Sequence, residues 1–154
     1  MPTPVEKRIM IRRAEPADLP GIMEIERVSF PTPFSEASYE AEMGREISVF
    51  LVVEEAGRIA GYIFAWAVVF EGDVLKIAVA PERRRQGLGK LLMEALEQEF
   101  VRRGVKEMWL EVRENNQAAR SFYLGLGFCE VVVRHGYYTD TGEDAVVMMR
   151  RAGP

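Results

Sequence analysis

The sequence predicts an α+β fold, one domain over residues 1–154, built on a mostly antiparallel sheet with one strand, helix, strand crossover at its centre. Three observations carry this. Strand-like segments outnumber helical ones, short turns join three consecutive strands into a meander, and one long amphipathic segment separates two later strands.

Taken in order, Arg8 to Arg13 opens with β-type residues. Asp18 precedes a helical stretch containing Ile22, Ile25, Glu26 and Val28 that ends near Phe30. Pro31 and Pro33 break it, and Ser35 to Met43 resumes as a short helix. Ser48 to Glu55, Arg58 to Val69 and Asp73 to Val79 read as strands, joined by turns at Ala56-Gly57 and Glu71-Gly72. From Gly87 to Arg103, apolar residues recur at Leu88, Leu91, Leu92, Ala95, Leu96 and Phe100, which gives one apolar helical face. Gly104 is placed to close that helix in the left-handed conformation, with Arg102 and Arg103 favoured by its dipole. Lys106 to Arg113 alternates Met108, Leu110 and Val112 with Trp109, Glu111 and Arg113, the period of a strand. Asn115 or Asn116 caps a helix through Leu124, which Gly125 and Gly127 end. Phe128 to Tyr138 and Ala145 to Arg150 complete an antiparallel pair around a turn near Asp140-Thr141-Gly142.

Composition narrows the function classes. A hydrophobic content of 48% with 29% charged residues suits a soluble globular domain with its own core. The net charge of -4 provides no broad positive field, which argues against nucleic acid and anionic membranes as partners. Any anion must therefore be gripped locally. Cys129 is the only cysteine, so an intrachain disulfide and a multi-cysteine metal site are both excluded, and no metal is expected. A reducing, cytoplasmic setting fits that composition. Met1 to Arg8 carries no apolar run of the secretory kind, and Ile59 to Phe70 falls short of the roughly 18 residues of a membrane span. It reads as buried strand.

One segment points to chemistry. After the strand ending at Val79 comes Pro81-Glu82-Arg83-Arg84-Arg85-Gln86-Gly87-Leu88-Gly89-Lys90, which opens directly into the amphipathic helix. Glycines at a helix N-terminus let a bulky anion approach free backbone N–H groups, and the dipole adds positive charge there. Arg83 to Arg85 and Lys90 add local cations. A dinucleotide fingerprint and a P-loop both fail on spacing. The plain alternative is a solvated basic loop before an ordinary helix.

With these residues in view, the chain resembles the GNAT acetyltransferases, whose signature at this place is (Arg or Gln)-x-x-Gly-x-(Gly or Ala). Arg84, Gly87 and Gly89 satisfy it. Trp109-Leu110-Glu111-Val112-Arg113, Asn116, Ser121-Phe122-Tyr123 and Leu126-Gly127-Phe128 follow in the family's order and spacing. That combination looks like the bacterial RimI-type branch, the ribosomal-protein alanine N-acetyltransferases, over a stretch from about Met10 to Met148. It includes Ser29-Phe30, Pro33-Phe34-Ser35, Tyr137-Tyr138 and Glu143-Asp144-Ala145. Phe34 stands where tryptophan is expected, and His135 precedes the tyrosine pair, both departures at the acceptor end.

The resemblance implies the GNAT (acyl-coenzyme A N-acyltransferase) fold, a mixed, mostly antiparallel sheet of about seven strands with helices on both faces. It implies acetyl-coenzyme A as cosubstrate. Its pyrophosphate would lie on the loop Arg84, Arg85, Gln86, Gly87, Leu88, Gly89 and Lys90, and its pantetheine arm would pair with Ile77, Ala78 and Val79 as an added strand. It assigns the base to Glu111 and the acid to Tyr123, which would also meet the cosubstrate, as would Asn116 at the pantetheine amides. A backbone N–H near Val79, freed by a strand irregularity, would serve the carbonyl oxygen. Phe30, Phe34, Tyr137 and Tyr138 are candidate walls of a peptide cleft.

Each residue has a plainer reading. Glu111 fits an outward strand charge held by an arginine, Tyr123 a core tyrosine packed on Phe122 and Phe128, and Asn116 a helix cap that need not touch pantetheine. The four aromatics fit ordinary packing, and His135 fits a surface residue. The expected acceptor is the N-terminal α-amine of a protein, in that branch a small-subunit ribosomal protein. Lysine side chains, a small-molecule amine, or a non-catalytic acyl-coenzyme A sensor are the alternatives on the same scaffold.

Overall fold

The computed structural model describes residues 9–154, so Arg8 and the segment Met1 to Arg8 lie outside the described residues. The chain runs through β1 (Ile9–Arg13), α1 (Leu19–Ser29), α2 (Glu36–Met43), β2 (Ser48–Glu55), β3 (Arg58–Val68) and β4 (Glu71–Val79). It continues through α3 (Leu88–Arg102), β5 (Glu107–Arg113), α4 (Gln117–Gly125), β6 (Cys129–Arg134) and β7 (Ala145–Arg151). The seven strands form one sheet in the order β1-β2-β3-β4-β5-β7-β6. Every neighbouring pair is antiparallel except β4 and β5, which α3 connects in parallel. This is the mixed sheet with a central crossover that the sequence predicts. Among the described residues no helix is long and apolar enough to cross a membrane.

Helices cover both faces because the inward side chains of each strand alternate. On one face Leu88, Leu92, Leu96 and Phe100 of α3 join Met108, Leu110 and Val112 of β5 and Tyr123 of α4. On the other, Leu19, Ile22 and Ile25 of α1 and Tyr39 of α2 pack on Phe50, Val52, Tyr62 and Phe64. Leu96 is fully buried, so truncating it to alanine would cost about 2–5 kcal/mol. Gly104, at φ 83°, ends α3 as expected.

Two boundaries differ from expectation. The turn after β3 is Val69-Phe70, with Val69 at φ 54°, while Glu71 and Gly72 already pair in β4. Gly72 is a packing glycine: a Cβ there would stand 2.4 Å from the Phe100 ring. The last hairpin also opens early. β6 stops at Arg134, because Asp144 Oδ1 accepts the Gly136 N–H at 2.8 Å and Gly136 adopts φ 62°, which turns the chain out of the sheet. Tyr137 and Tyr138 therefore stand in a loop rather than a strand. The turn near residue 142 is present, with Gly142 at φ 75° and its N–H donating to the Tyr138 carbonyl.

Candidate active site

β4 and β5 are paired only from Glu71 opposite Glu107 to Val74 opposite Leu110. Beyond that point they part. The register of β4 against β3 slips at the same place, with Phe64 opposite Lys76 and Ala65 opposite Val74, so Leu75 is an inserted residue that bends the strand. The irregularity expected near Val79 thus lies at Leu75, and the freed edge runs onward from it. Ala80 N–H donates to the Ala60 carbonyl of the β3 side at 2.8 Å. By strand alternation Ala78 also turns its backbone toward β3, whereas Ile77 and Val79 turn theirs into the gap. The Val79 carbonyl accepts from Arg84 Nε at 3.0 Å there.

The gap leads to the start of α3. Gly87 is its N-terminal cap at φ 81° with no side-chain cap, and Arg85 two residues earlier has φ 63°. Alternating left-handed residues before a helix aim successive N–H groups to one side, and the first turn leaves its own N–H groups without intrahelical partners. No atom lies within 4 Å of where a Gly87 Cβ would stand, whereas a Gly89 Cβ would meet the Phe122 ring at 3.2 Å. The open space at Gly87 fits a diphosphate on backbone donors. Arg85, Gln86 and Lys90 are exposed beside it, and Leu88 buries its side chain in the core, leaving only its amide on this side. Arg84 folds back across the gap, its Nη2 donating to Ser29 Oγ at 3.3 Å. Asn116 caps α4, its Oδ1 accepting the Ala119 N–H at 3.1 Å.

Glu111 and Tyr123 lie on opposite faces of the sheet. Glu111 lies on the α1 and α2 side of β5, half-buried, with Arg134 Nε at 4.0 Å. Tyr137 hydrogen-bonds to Glu111, and that bond first, burial second, holds its hydroxyl above the ordinary value. Tyr123 belongs to the core under α3, its ring centroid 5.2 Å from Phe122 and 5.8 Å from Phe128. Burial pushes its hydroxyl up, with Tyr138 adding to the shift. Tyr138 itself is pushed up to about 12, by burial and then by Glu111. Tyr137 and Tyr138 themselves meet edge to face, ring centroids 5.1 Å apart. His135 is exposed and pairs with Asp144 at 3.0 Å, as a surface residue would.

The remaining wall comes from α1 and the segment after it. Lys76 Nζ lies 4.3 Å from the Phe30 ring centroid and 3.8 Å from that of Phe34. The same ammonium pairs with Glu26, which is fully buried. Thr32 Oγ1 donates to Asp140 Oδ2 at 2.9 Å, and Arg113 Nη2 donates to the same oxygen at 2.8 Å. The two groups of candidate wall residues are thereby linked, since Thr32 lies between Phe30 and Phe34 while Asp140 lies in the turn that follows Tyr137 and Tyr138.

Sequence reasoning missed Glu26, Lys76, Thr32, Asp73 and Asp140 as parts of this cleft. Asp73 lies on the same face, opposite Trp109, and its carboxyl is raised by burial, then by Glu71 and Glu111. Glu26 did leave a signal: a carboxylate on the apolar stripe of α1, one residue after Ile25 and four after Ile22.

Comparison with known proteins identifies the family and the fold. Residues 19–128 match the acetyltransferase (GNAT) family. The chain is 39% identical over 140 residues to the [ribosomal protein bS18]-alanine N-acetyltransferase of Escherichia coli strain K12, covering 90% of this chain and 94% of that one. The crystal structure of the ribosomal-protein-S18-alanine N-acetyltransferase from Escherichia coli superposes with a TM-score of 0.86 at 36% identity, covering 96% of each chain. Ard1 from Thermoplasma volcanium superposes with a TM-score of 0.86 at 28% identity, covering 95% of this chain and 99% of that one.

Proposed function

The chain belongs to the GNAT acetyltransferase family, and from that premise we propose that it moves an acetyl group from acetyl-coenzyme A to the N-terminal α-amine of a ribosomal protein. The likeness to the Escherichia coli enzyme over nearly the whole length supports the acceptor class. The observation that supports the reading is Glu111: it is the first β5 residue after the last β4–β5 pair, half-buried, and Tyr137 hydrogen-bonds to it.

Acetyl-coenzyme A supplies the thioester. Ile77 and Val79 offer backbone groups to its extended arm, and an N–H of that edge is placed to polarise the carbonyl oxygen. The amides around Gly87 hold the diphosphate, with Arg85 and Lys90 as neighbouring cations. Glu111 takes the proton from the attacking amine, directly or through one water, since its side chain keeps 29% exposure. An α-amine, of pKa about 7.8, is neutral a few hundred times more often at pH 7 than a lysine at about 10.4, so one carboxylate suffices. Tyr123, its hydroxyl raised by burial, acts as a hydrogen-bond donor to the departing sulfur rather than as a strong acid.

Incubation with acetyl-coenzyme A and a peptide panel, with free or blocked α-amines, tests the proposal by thiol release and by mass-spectrometric location of the acetyl group. Product is expected from free α-amines. Product only from blocked peptides that contain lysine would overturn the acceptor assignment, and the absence of thiol release with every amine would overturn the catalytic one.

A further inference from the structure

Glu26 is fully buried on α1, yet it holds four donors and divides them by destination. Its Oε1 accepts from Tyr39 Oη at 2.6 Å and from the Tyr62 hydroxyl, both inside the core. Its Oε2 accepts from the Lys76 ammonium and from the Phe34 backbone N–H at 2.9 Å. One oxygen faces the interior and the other holds the cleft wall. Lys76 in turn places its charge against the rings of Phe30 and Phe34. Phe34 is tied to this ion pair at both backbone and ring, and its ring also lies 5.4 Å from that of Tyr39, although the residue is 40% exposed.

From this we propose that the Glu26–Lys76 pair is a positioning device for the acceptor, fixing the Phe30–Phe34 wall against which the first residues of the peptide lie. The inference rests on the reading of those phenylalanines as acceptor-binding. Neither Glu26 nor Lys76 takes part in the proton transfers. Without the pair the Phe34 segment would be free to move, while the Gly87 loop, joined to α1 through the Arg84–Ser29 bond and not through the pair, would keep its own contacts.

A wall held in place before binding lowers the ordering cost of the peptide, so its loss appears in the peptide KM rather than in kcat. Lys76→Met keeps the aliphatic stem under the rings and removes the ammonium. It should raise the KM for a free-α-amine peptide about tenfold, with kcat changed less than about twofold and the KM for acetyl-coenzyme A unchanged. Tyr62→Phe removes one donor from the interior oxygen of the same carboxylate. It should lower the melting temperature and leave the peptide KM in place. Phe34→Ala is the separate check on the wall and should raise the peptide KM by itself.

If Phe34→Ala raises the peptide KM and Lys76→Met does not, the positioning role is wrong while the wall stands. If Tyr62→Phe raises it as much as Lys76→Met, the effect is general loosening and the proposal falls. If Phe34→Ala is silent, the wall reading fails and the positioning role fails with it.

Discussion

The two ends of the cleft are built by different means. At the coenzyme end the candidate donors are backbone amides, of Ile77 and Val79 on a freed strand edge and of the residues around Gly87 at the start of α3, all within one short stretch of chain. At the end proposed for the acceptor the contacts are between side chains far apart in sequence: Glu26 with Lys76, Thr32 with Asp140, Arg113 with Asp140, Tyr137 with Glu111. The first end needs only that certain side chains be absent or out of the way. The second needs particular side chains to meet. A cosubstrate common to a whole family suits the first, because amides do not vary with sequence, and a selective acceptor suits the second.

The largest effect is expected where the two ends meet. Glu111→Gln should lower kcat about 100-fold or more while the KM for acetyl-coenzyme A stays constant. Steady-state kinetics with a free-α-amine peptide decides it, and a fully active variant would remove Glu111 from the chemistry.

Next comes the contrast between backbone and side chain at the coenzyme end. A non-glycine residue at the φ of 81° found at Gly87 costs about 1–2 kcal/mol, and a carboxylate there also opposes an anion. Gly87→Glu should therefore raise the KM for acetyl-coenzyme A about tenfold or more, whereas Lys90→Ala, which removes one exposed cation, should change it less than about threefold. Equal effects of the two would show that side-chain charge, not the loop backbone, holds the diphosphate.

A smaller change is expected at the tie across the cleft. Thr32→Val removes the bond to Asp140 and leaves Arg113 to hold that carboxylate. Water competes for a bond this exposed, so the peptide KM should rise only about threefold with acetyl-coenzyme A binding untouched. No change would make the tie incidental to acceptor binding.

The subtlest test concerns pH. Burial alone would raise the Glu26 carboxyl, but Lys76, Tyr39, Tyr62 and the Phe34 N–H outweigh it and hold the group below its ordinary value. Such a depressed carboxyl contributes stability that is full above its unfolded value of about 4.3 and is lost as pH falls through the lower folded value. The difference in Tm between the natural protein and Glu26→Gln should accordingly be constant from pH 8 to pH 5, within about a degree, and should shrink below about pH 4. A difference that grows on acidification would reverse the sign assigned to Glu26.

Most elements were legible because their cause is local. The alternation of Met108, Leu110 and Val112 follows from the period of a strand, and the apolar stripe from Leu88 to Phe100 from that of a helix. The exceptions have tertiary causes. Glu71-Gly72 looks like a turn in sequence, but Gly72 sits in β4 because the Phe100 ring of a later helix occupies the space of a Cβ. Phe128 to Tyr138 looks like one strand, but Asp144 captures the Gly136 N–H and leaves the two tyrosines in a loop. Among the candidate site residues, the glycine loop could be singled out from the residues themselves, and Glu111 and Tyr123 only through the resemblance to the family. Lys76 could not, because only the slip at Leu75 turns it toward Glu26 and the two rings.

By itself, then, the sequence determined the α+β class, the order of the elements and the glycine loop at the start of α3, because periodicity and backbone freedom act over a few residues. Only the tertiary structure decided where β4 leaves β5, which face of the sheet receives Glu111 and which receives Tyr123, and that a buried carboxylate on α1 anchors the opposite wall. Those depend on side chains brought together across the fold, and spacing along the chain carries no record of such meetings.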